Sequence, residues 1–224
     1  MEKQNNIISV KNIEKTYSLG DIKVKALRRI SLDIQEGEFL IITGRNGSGK
    51  STLLRQIGLL DWPNRGEIYI DGQEMTHLQK KKRRKVRHEK IGYIFQEYAL
   101  IPELNAIENV MLPAMLIEPT KVCKPRAIKL LEKVGLKERL KHRPKQMSGG
   151  EQQKVAIARS LINNPKILFA DEPTANLDSI AAHGVLEVFE KLNNEGHTIV
   201  MISHEDEEKK YASRIIELRD GNIL

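Results

Sequence analysis

The sequence predicts an α/β fold built around a largely parallel sheet. Short runs of wholly apolar residues, the first of which is 39–42 (FLII), suit strands that are covered on both faces. Stretches with helical periodicity separate these runs, and one of them covers residues 180–193. A chain in which strands and helices alternate is typical of a parallel sheet with helices packed on its faces.

The elements can be assigned in order from the N-terminus. Residues 7–17 and 24–34 alternate apolar and polar side chains, which predicts two half-buried strands. The dipeptide Glu36-Gly37 predicts a turn before the buried strand at 39–42, and a helical pattern follows at 53–60. The later predicted elements are strands at 167–170 and 199–202, a weaker strand at 215–218, and helices at 151–163 and 180–193.

The composition indicates a soluble globular chain. Of its 224 residues 40% are hydrophobic and 30% are charged, which excludes fibrous and disordered classes. The net charge of +7 makes nucleotides, nucleic acid or an acidic membrane face plausible partners. Cys123 is the only cysteine, so an intramolecular disulfide is excluded. Residues 1–10 lack the layout of a signal peptide and no apolar run reaches about 18 residues, so we expect a cytoplasmic protein that reaches a membrane only through a partner.

Residues 44–51 (GRNGSGKS) fit the phosphate-binding pattern G-x-x-x-x-G-K-[ST] at every fixed position. The glycines let successive backbone N–H groups point at phosphate oxygens, and the following helix adds its positive end. We expect Lys50 to reach the β- and γ-phosphates of ATP and Ser51 to ligate Mg²⁺. A chance glycine-rich turn is the alternative, but the flanking strand and helix are the context that the motif requires. The predicted ATP-binding residues here are Gly44, Arg45, Asn46, Gly47, Ser48, Gly49, Lys50, Ser51 and Thr52.

Two adjacent acids follow the apolar run at 167–170. Asp171 can hold Mg²⁺ through water, and Glu172 can polarise the water that attacks the γ-phosphate. The alternative is that both acids merely cap a strand end before Pro173. Since phosphoryl transfer needs both a metal holder and a water-orienting group, the phosphate loop favours the catalytic interpretation.

Further motifs resemble those of the ABC (ATP-binding cassette) ATPases in order and spacing, from about residue 7 to the C-terminus. The resembling residues are the signature motif 148–153 (SGGEQQ), the Walker B strand 167–172 (ILFADE), the D-loop 175–178 (ANLD), Gln96 of the Q-loop, the switch histidine His204, and Tyr17 at the adenine-stacking position. The resemblance implies a P-loop NTPase with a RecA-like core and an antiparallel β subdomain. Residues 97–160, which read as mostly helix and loop, would be the inserted helical subdomain between core segments 1–96 and 161–224.

The resemblance also implies roles for single residues. The residues implied to be catalytic are Glu172, His204, Gln96 and Asp178. His204 would contact the γ-phosphate, and Gln96 would join Ser51 and Asp171 at the Mg²⁺ ion. Tyr17 would stack on adenine for about 1–3 kcal/mol, and the alternative is an ordinary strand-edge tyrosine.

Ser148 and Glu151 form the capping pattern S-x-x-E, which predicts a helix start. A helix N-terminus is also an anion site, and two glycines after the cap exceed what capping needs. By the resemblance, Ser148, Gly149, Gly150 and Glu151 face the γ-phosphate bound by a second copy. Two chains would then close head-to-tail around two ATP molecules.

The chain looks like the short ATPases of the MacB, LolD and FtsE group, whose members pair with separate membrane permeases in export or lipoprotein release. That likeness implies an integral membrane permease as partner and a position on the inner face of the cell membrane. One alternative is a mechanical or signalling ATPase of the FtsE type that moves no solute. Another is a soluble nucleic-acid-associated ABC ATPase, but the chain lacks the paired cassettes, coiled coils or zinc modules of that class, so no nucleic acid is expected.

Two surface features are predicted outside the motifs. Residues 80–87 (KKKRRKVR) are the densest charge run, and we interpret them as a solvated face because no aromatic residue interleaves them. The apolar segment 98–115 is expected to be subdomain core in part and, where exposed, to form a groove for a permease helix. Cys123 and Trp62 are interpreted as packing residues.

Overall fold

The structure, a computed structural model, describes residues 6–224. Two sheets and six α-helices make up this part of the chain. The strands are β1 (Asn6–Leu19), β2 (Ile22–Gln35), β3 (Phe39–Thr43), β4 (Arg65–Ile70), β5 (Gln73–Glu74), β6 (Ile91–Ile94), β7 (Ile167–Asp171), β8 (Thr198–Ile202), β9 (Arg214–Arg219) and β10 (Asn222–Ile223). The helices are α1 (Lys50–Ile57), α2 (Lys80–Lys90), α3 (Ala106–Met111), α4 (Thr120–Lys133), α5 (Gly149–Ser160) and α6 (Ser179–Asn194).

The smaller sheet is antiparallel, with the strand order β2-β1-β4-β5. Val10 pairs with Leu32 and Ile13 with Ile30, so the apolar members of the two alternating patterns face the same side and are buried. The predicted strands 7–17 and 24–34 are confirmed, and each runs one or two residues further at both ends.

The larger sheet has the order β10-β9-β3-β8-β7-β6, and its strands β9, β3, β8, β7 and β6 are mutually parallel. Ile41 of β3 pairs with Met201 of β8 on one side and Ile215 of β9 on the other. The predicted α/β class is confirmed. Because the strands are parallel, their carboxyl ends meet at one edge of the sheet, and the loops leaving that edge lie side by side.

Hydrophobic cores cover both faces of the parallel sheet, which explains why its strands are apolar throughout. Phe39 and Ile41 pack in the core formed with α3, α4, α5 and α6. Leu40 and Ile42 point the other way, into the core shared by α1 and the antiparallel sheet. Each of these side chains is fully buried and contributes about 1.5–3 kcal/mol relative to an exposed one.

Helices α3, α4 and α5 all lie within the range 97–160 that the sequence assigns to helix and loop. Much of the apolar segment 98–115 is core, including Ile107 and Val110, whereas Ile101 and Met115 are 41% and 46% exposed. Cys123 is fully buried in the same core. Within residues 6–224 no helix combines the length and the apolar composition needed to cross a bilayer.

The basic run is only partly a solvated face. Arg83 is fully buried, so for this residue the prediction is wrong, whereas Arg84 is exposed as expected. The Arg83 guanidinium donates to the carbonyls of Leu59 and Asp61 and stacks 4.2 Å from the ring centroid of Trp62. Burial lowers the pKa of Arg83 to about 10, so it remains a cation at neutral pH. Arg83 therefore fixes the chain after α1 by binding its backbone.

Candidate functional site

Three of the predicted motifs converge on the carboxyl edge of the parallel sheet. The phosphate loop leaves β3, Asp171 ends β7 with Glu172 next to it, and His204 follows β8. The Ser51 hydroxyl donates to Asp171 Oδ1 at 3.3 Å, and His204 Nε2 lies 2.9 Å from Glu172 Oε1. Residues that are more than 100 positions apart in sequence thus meet at the loop.

The backbone of the phosphate loop requires glycine at two fixed positions. Gly44 has φ 138° and Gly49 has φ 106°, values that other residues rarely adopt. A Cβ atom on Gly44 would lie 2.1 Å from the Leu218 carbonyl oxygen, and one on Gly49 would lie 2.4 Å from the Ala26 carbonyl oxygen. The loop is therefore pressed against β9 and β2, and α1 starts directly after it at Lys50.

Lys50 is buried inside the curl of this loop. Its Nζ donates to the carbonyls of Gly44 at 2.9 Å and Arg45 at 3.1 Å. Burial lowers the pKa of Lys50, while the charges of Glu172 and Asp171 oppose that shift. Ser48 Oγ is also buried and has no hydrogen-bond partner among the described residues. A partly desolvated cation and an unpaired hydroxyl in a glycine cradle fit the oxygens of a phosphate chain.

Ser51 and Asp171 provide oxygen ligands suited to Mg²⁺. Burial raises the pKa of Asp171, and the hydrogen bond from Ser51 opposes that shift. Among residues 6–224 no group of three or more His, Cys, Asp and Glu side chains gathers as a metal cluster. Mg²⁺ does not need such a cage, because it keeps waters and takes phosphate oxygens together with one or two protein ligands. The residues present fit that ion.

Glu172 has φ 47°, in the left-handed region that only a few per cent of non-glycine residues occupy. Such a conformation costs about 1–3 kcal/mol and is concentrated at functional sites. At this conformation the carboxylate of Glu172 reaches His204, and the Glu172 side chain lines the pocket above the phosphate loop. The sequence carries no signal for the strained backbone, although it does identify the residue.

An open pocket of about 560 Å³ lies between the phosphate loop and the antiparallel sheet. Tyr17 lines it, is 40% exposed, and donates its hydroxyl to Asp61 Oδ2 at 3.0 Å. Lys15 lies 4.9 Å from the Tyr17 ring centroid and also pairs with Asp61 at 2.8 Å. Of the predicted residues the pocket brings together Tyr17, Asn46, Gly47, Gly49, Lys50, Ser51, Thr52 and Glu172.

The same pocket is lined by Val24, Lys25 and Arg28, which the sequence reasoning missed. They belong to β2, where the alternation of apolar and polar residues predicts a strand but no binding role. Lys25 and Arg28 add positive charge beside the phosphate loop, which suits a nucleotide. Their spacing matches no phosphate motif, so composition alone could not have selected them.

The signature residues lie outside this pocket. Ser148 caps α5: its Oγ accepts from the Glu151 N–H at 3.2 Å, and Glu151 Oε2 accepts from the Ser148 N–H at 2.9 Å, so the predicted capping box is confirmed. Burial would raise the pKa of Glu151, but its hydrogen bonds from Ser148 and Arg139 hold it below its usual value. None of the residues 148–151 lines the pocket that the described residues form around the phosphate loop.

The two signature glycines also have a packing role. A Cβ atom on Gly149 would lie 2.9 Å from the Tyr98 hydroxyl, and one on Gly150 would lie 3.0 Å from the Ala181 Cβ. Asp178 of the D-loop caps α6 by accepting from the Ala181 N–H at 2.8 Å. The N-termini of α5 and α6 are therefore in close contact, which the sequence interpretation of these glycines did not include.

Gln96 is exposed, and among the described residues no hydrogen bond joins its side chain to Ser51 or Asp171. Its backbone carbonyl accepts from Asn176 Nδ2 at 3.3 Å, so the Q-loop is tied to the D-loop. Its predicted role at the metal therefore stays a prediction, as do the catalytic roles of the other motif residues.

Comparison with known proteins decides the family. The model of the ABC transporter family matches residues 27–175. The chain belongs to the ABC transporter family. It is also 52% identical to an uncharacterized ABC transporter ATP-binding protein of Methanocaldococcus jannaschii, over 97% of this chain and 98% of that one.

Two further relatives of this ABC transporter cassette are informative. The macrolide export ATP-binding/permease protein MacB of Bdellovibrio bacteriovorus is 47% identical over 97% of the chain, which spans about a third of that longer protein (33%). The structure matches a dimeric post-hydrolysis state of an ATP-binding cassette bound to ADP and Pi, with TM-score 0.89, 42% identity and 96% of each chain covered. The predicted P-loop NTPase fold is confirmed, and the chain is an ATPase.

Proposed function

We propose that this ABC transporter cassette is the motor of a membrane transport complex, in which two copies close around two ATP molecules and drive a separate integral membrane permease. One observation carries the proposal: Glu172, which contacts His204, lines an open phosphate-loop pocket from which residues 148–151 of the same chain are absent. Each chain thus presents a nucleotide site that lacks residues 148–151, and it carries those residues at a separate, anion-binding helix end. A second copy supplies its residues 148–151 to the site of the first.

Binding of the triphosphate begins at the phosphate loop. The N–H groups of the loop and the start of α1 donate to phosphate oxygens, and Lys50 exchanges its loop carbonyls for the β- and γ-phosphates. Tyr17 supplies an aromatic face for adenine at the far side of the pocket. Ser51, and Asp171 through water, would hold Mg²⁺, which would supply positive charge against the phosphates.

Hydrolysis then needs a water in line with the bond between the γ-phosphorus and its bridging oxygen. The Glu172 carboxylate accepts a hydrogen bond from this water and takes its proton as the water oxygen bonds to phosphorus. The bond to the bridging oxygen breaks with its electron pair on ADP, ADP and phosphate leave, and Glu172 releases the proton to solvent. His204, which contacts Glu172, donates to the γ-phosphate and stabilises its charge.

The helix end at Ser148 fits the outer face of that γ-phosphate. Ser148 Oγ accepts from the Glu151 N–H, and its hydroxyl can turn to donate to an anion. The capping box also orients the first N–H groups of α5 outward, toward a negative ligand. The dimeric ADP-bound relative supports an arrangement of two cassettes.

Two observations support a permease as partner. MacB carries both an ATP-binding and a permease part in its name, and this chain aligns with only a third of it. A groove of about 370 Å³ runs beside the Q-loop, where Ala99 and Pro113 belong to the segment 98–115 predicted to receive a permease helix. Arg84, Arg87 and Arg159 line the same groove, which favours an acidic partner segment.

The decisive experiment measures the mass of the Glu172→Gln protein by size exclusion with light scattering. With saturating ATP and Mg²⁺ it is expected to form a stable dimer, because nucleotide binds but is not hydrolysed. Without nucleotide the same protein is expected to be largely monomeric. A Glu172→Gln protein that stays monomeric with ATP, or that hydrolyses ATP at the normal rate, contradicts the proposal.

Position 148 offers a matched pair of control variants. Aspartate and asparagine both cap helices as well as serine does, so α5 survives either change. In the Glu172→Gln background, Ser148→Asp places a negative charge against the γ-phosphate and should abolish the ATP-dependent dimer, whereas Ser148→Asn should largely retain it. Equal behaviour of the two variants would place the α5 terminus away from the nucleotide.

A further inference from the structure

A second contact joins the two segments that carry Glu172 and His204. The Thr174 hydroxyl donates to Glu208 Oε1, and both residues are buried, at 7% and 3% exposure. Glu208 is the only glutamate or aspartate among the buried residues of the described chain. Burying a carboxylate costs free energy unless the group is hydrogen-bonded. The hydrogen bond from Thr174 therefore offsets part of the cost of burying Glu208.

The contact is arranged parallel to the catalytic one. Thr174 follows Glu172 by two residues, and Glu208 follows His204 by four. The Glu172–His204 contact and the Thr174–Glu208 contact therefore join the same two segments of the chain. A shift of one segment along the other would break both contacts.

The segment after His204 has few other attachments. It forms a short 3₁₀ turn, Asp206–Tyr211, whose far end is held by a contact of 3.0 Å between the Tyr211 hydroxyl and His183 Nδ1 of α6. His204 itself is exposed and stands between the end of β8 and this turn. Glu208 is thus the anchor nearest to His204 on its C-terminal side.

We propose that Glu208 is a positioning residue for ATP hydrolysis: through Thr174 it fixes the turn after β8 against the Glu172 segment and so holds His204 within reach of Glu172 and the γ-phosphate. This inference rests on the proposed roles of Glu172 and His204. Glu208 itself touches neither the reacting atoms nor the nucleotide pocket.

The test compares steady-state ATPase rates of variants that remove or keep the contact. Glu208→Ala and Thr174→Val are each expected to lower kcat at least tenfold while KM for ATP stays within about threefold. Glu208→Gln keeps an acceptor and Thr174→Ser keeps the hydroxyl, so both should recover most of the rate. Glu207→Ala, at an exposed position of the same turn, is the matched control and should match the wild type.

Two further measurements separate positioning from a general loss of structure. In single-turnover assays with labelled ATP, Glu208→Ala should slow a His204→Ala protein no further, because its effect passes through His204. In NMR spectra the imidazole signals of His204 should move in Glu208→Ala toward their positions in Glu172→Gln, and stay near the wild type in Glu208→Gln. Melting curves then need only show that each variant is folded at the assay temperature.

Three results would overturn the proposal: a wild-type kcat in Glu208→Ala, an equal loss of rate in the His204→Ala background, or an unmoved His204 signal. Failure of the proposed function is recognised separately, because then Glu172→Gln and His204→Ala themselves would leave hydrolysis unchanged.

Discussion

His204 Nε2 lies 2.9 Å from Glu172 Oε1, so the two residues that follow adjacent strands of the sheet are in direct contact. The Glu172 side chain is 23% exposed and lines the nucleotide pocket, and that of His204 is 36% exposed. In the proposed mechanism the γ-phosphate and its attacking water would meet a Glu172–His204 pair that the fold itself brings together, which would reduce the reorganisation needed at the chemical step.

Replacing His204 by alanine should lower kcat by about 10²-fold or more, because the donor to the γ-phosphate and the contact to Glu172 are both lost. ATP affinity should change little, since the phosphate loop supplies most of the binding groups. Steady-state kinetics with a coupled ATPase assay check this, and His77→Ala, at an exposed histidine outside the site, is the control. A normal kcat in His204→Ala would remove His204 from the mechanism.

Replacing Lys50 by alanine should weaken nucleotide binding about 10–100-fold, because a charge-assisted contact to the phosphates is lost. Isothermal calorimetry with a non-hydrolysable ATP analogue measures the change. Lys81→Ala removes a charge from an exposed part of α2 and should bind normally. Unchanged affinity in Lys50→Ala would refute the assignment of Lys50 to the phosphates.

The stability of the nucleotide-free protein should depend on the charge of Asp171. Burial raises its pKa, so the folded state holds this proton more tightly than the unfolded chain, and ionisation destabilises the fold. The loss of folding free energy is complete above the pKa that Asp171 has in the folded state. It disappears as the pH falls through that pKa toward the ordinary value of 3.8. Asp171→Asn should therefore melt higher than the wild type at pH 7.5, with a gain that shrinks toward pH 4.5. Thermal melts at several pH values check this, and a gain that grows on acidification would contradict it.

Replacing Arg83 by alanine should destabilise the fold by about 2–4 kcal/mol, because a buried side chain and its hydrogen bonds to the carbonyls of Leu59 and Asp61 are lost. Arg84→Ala, one residue away and exposed, should change the free energy of unfolding by less than about 0.5 kcal/mol. Urea denaturation compares the two. Equal effects of the two substitutions would mean that the contacts of Arg83 contribute little to the free energy of unfolding.

The sequence predicts well those features that depend on local pattern. The strand 39–42 is apolar throughout because both of its faces are covered, and the phosphate loop, Asp171 and His204 lie where parallel strands end. Glycine positions in the phosphate loop follow from backbone geometry that only glycine adopts. Topology then brings Ser51, Asp171 and His204 to one edge without further information.

Other features depend on which backbone groups happen to face a side chain in three dimensions. Arg83 belongs to a run of cations that reads as solvated, and its burial is possible only because two carbonyls and Trp62 surround it. The contact between Thr174 and Glu208 joins polar residues 34 positions apart, neither of which stands out in the sequence. No periodicity or spacing rule could identify such pairs.

The close approach of Gly150 to Ala181 has a consequence for assembly. In the proposed dimer the N-terminus of α5 would face the neighbouring molecule, and its close packing against α6 would restrict its motion before the two molecules meet. Little conformational entropy would then be lost on dimerisation, so the affinity of the dimer could be governed by whether nucleotide lies between the two molecules. A bulky residue at position 150 would loosen this patch and weaken pairing even in a protein whose own nucleotide pocket is intact.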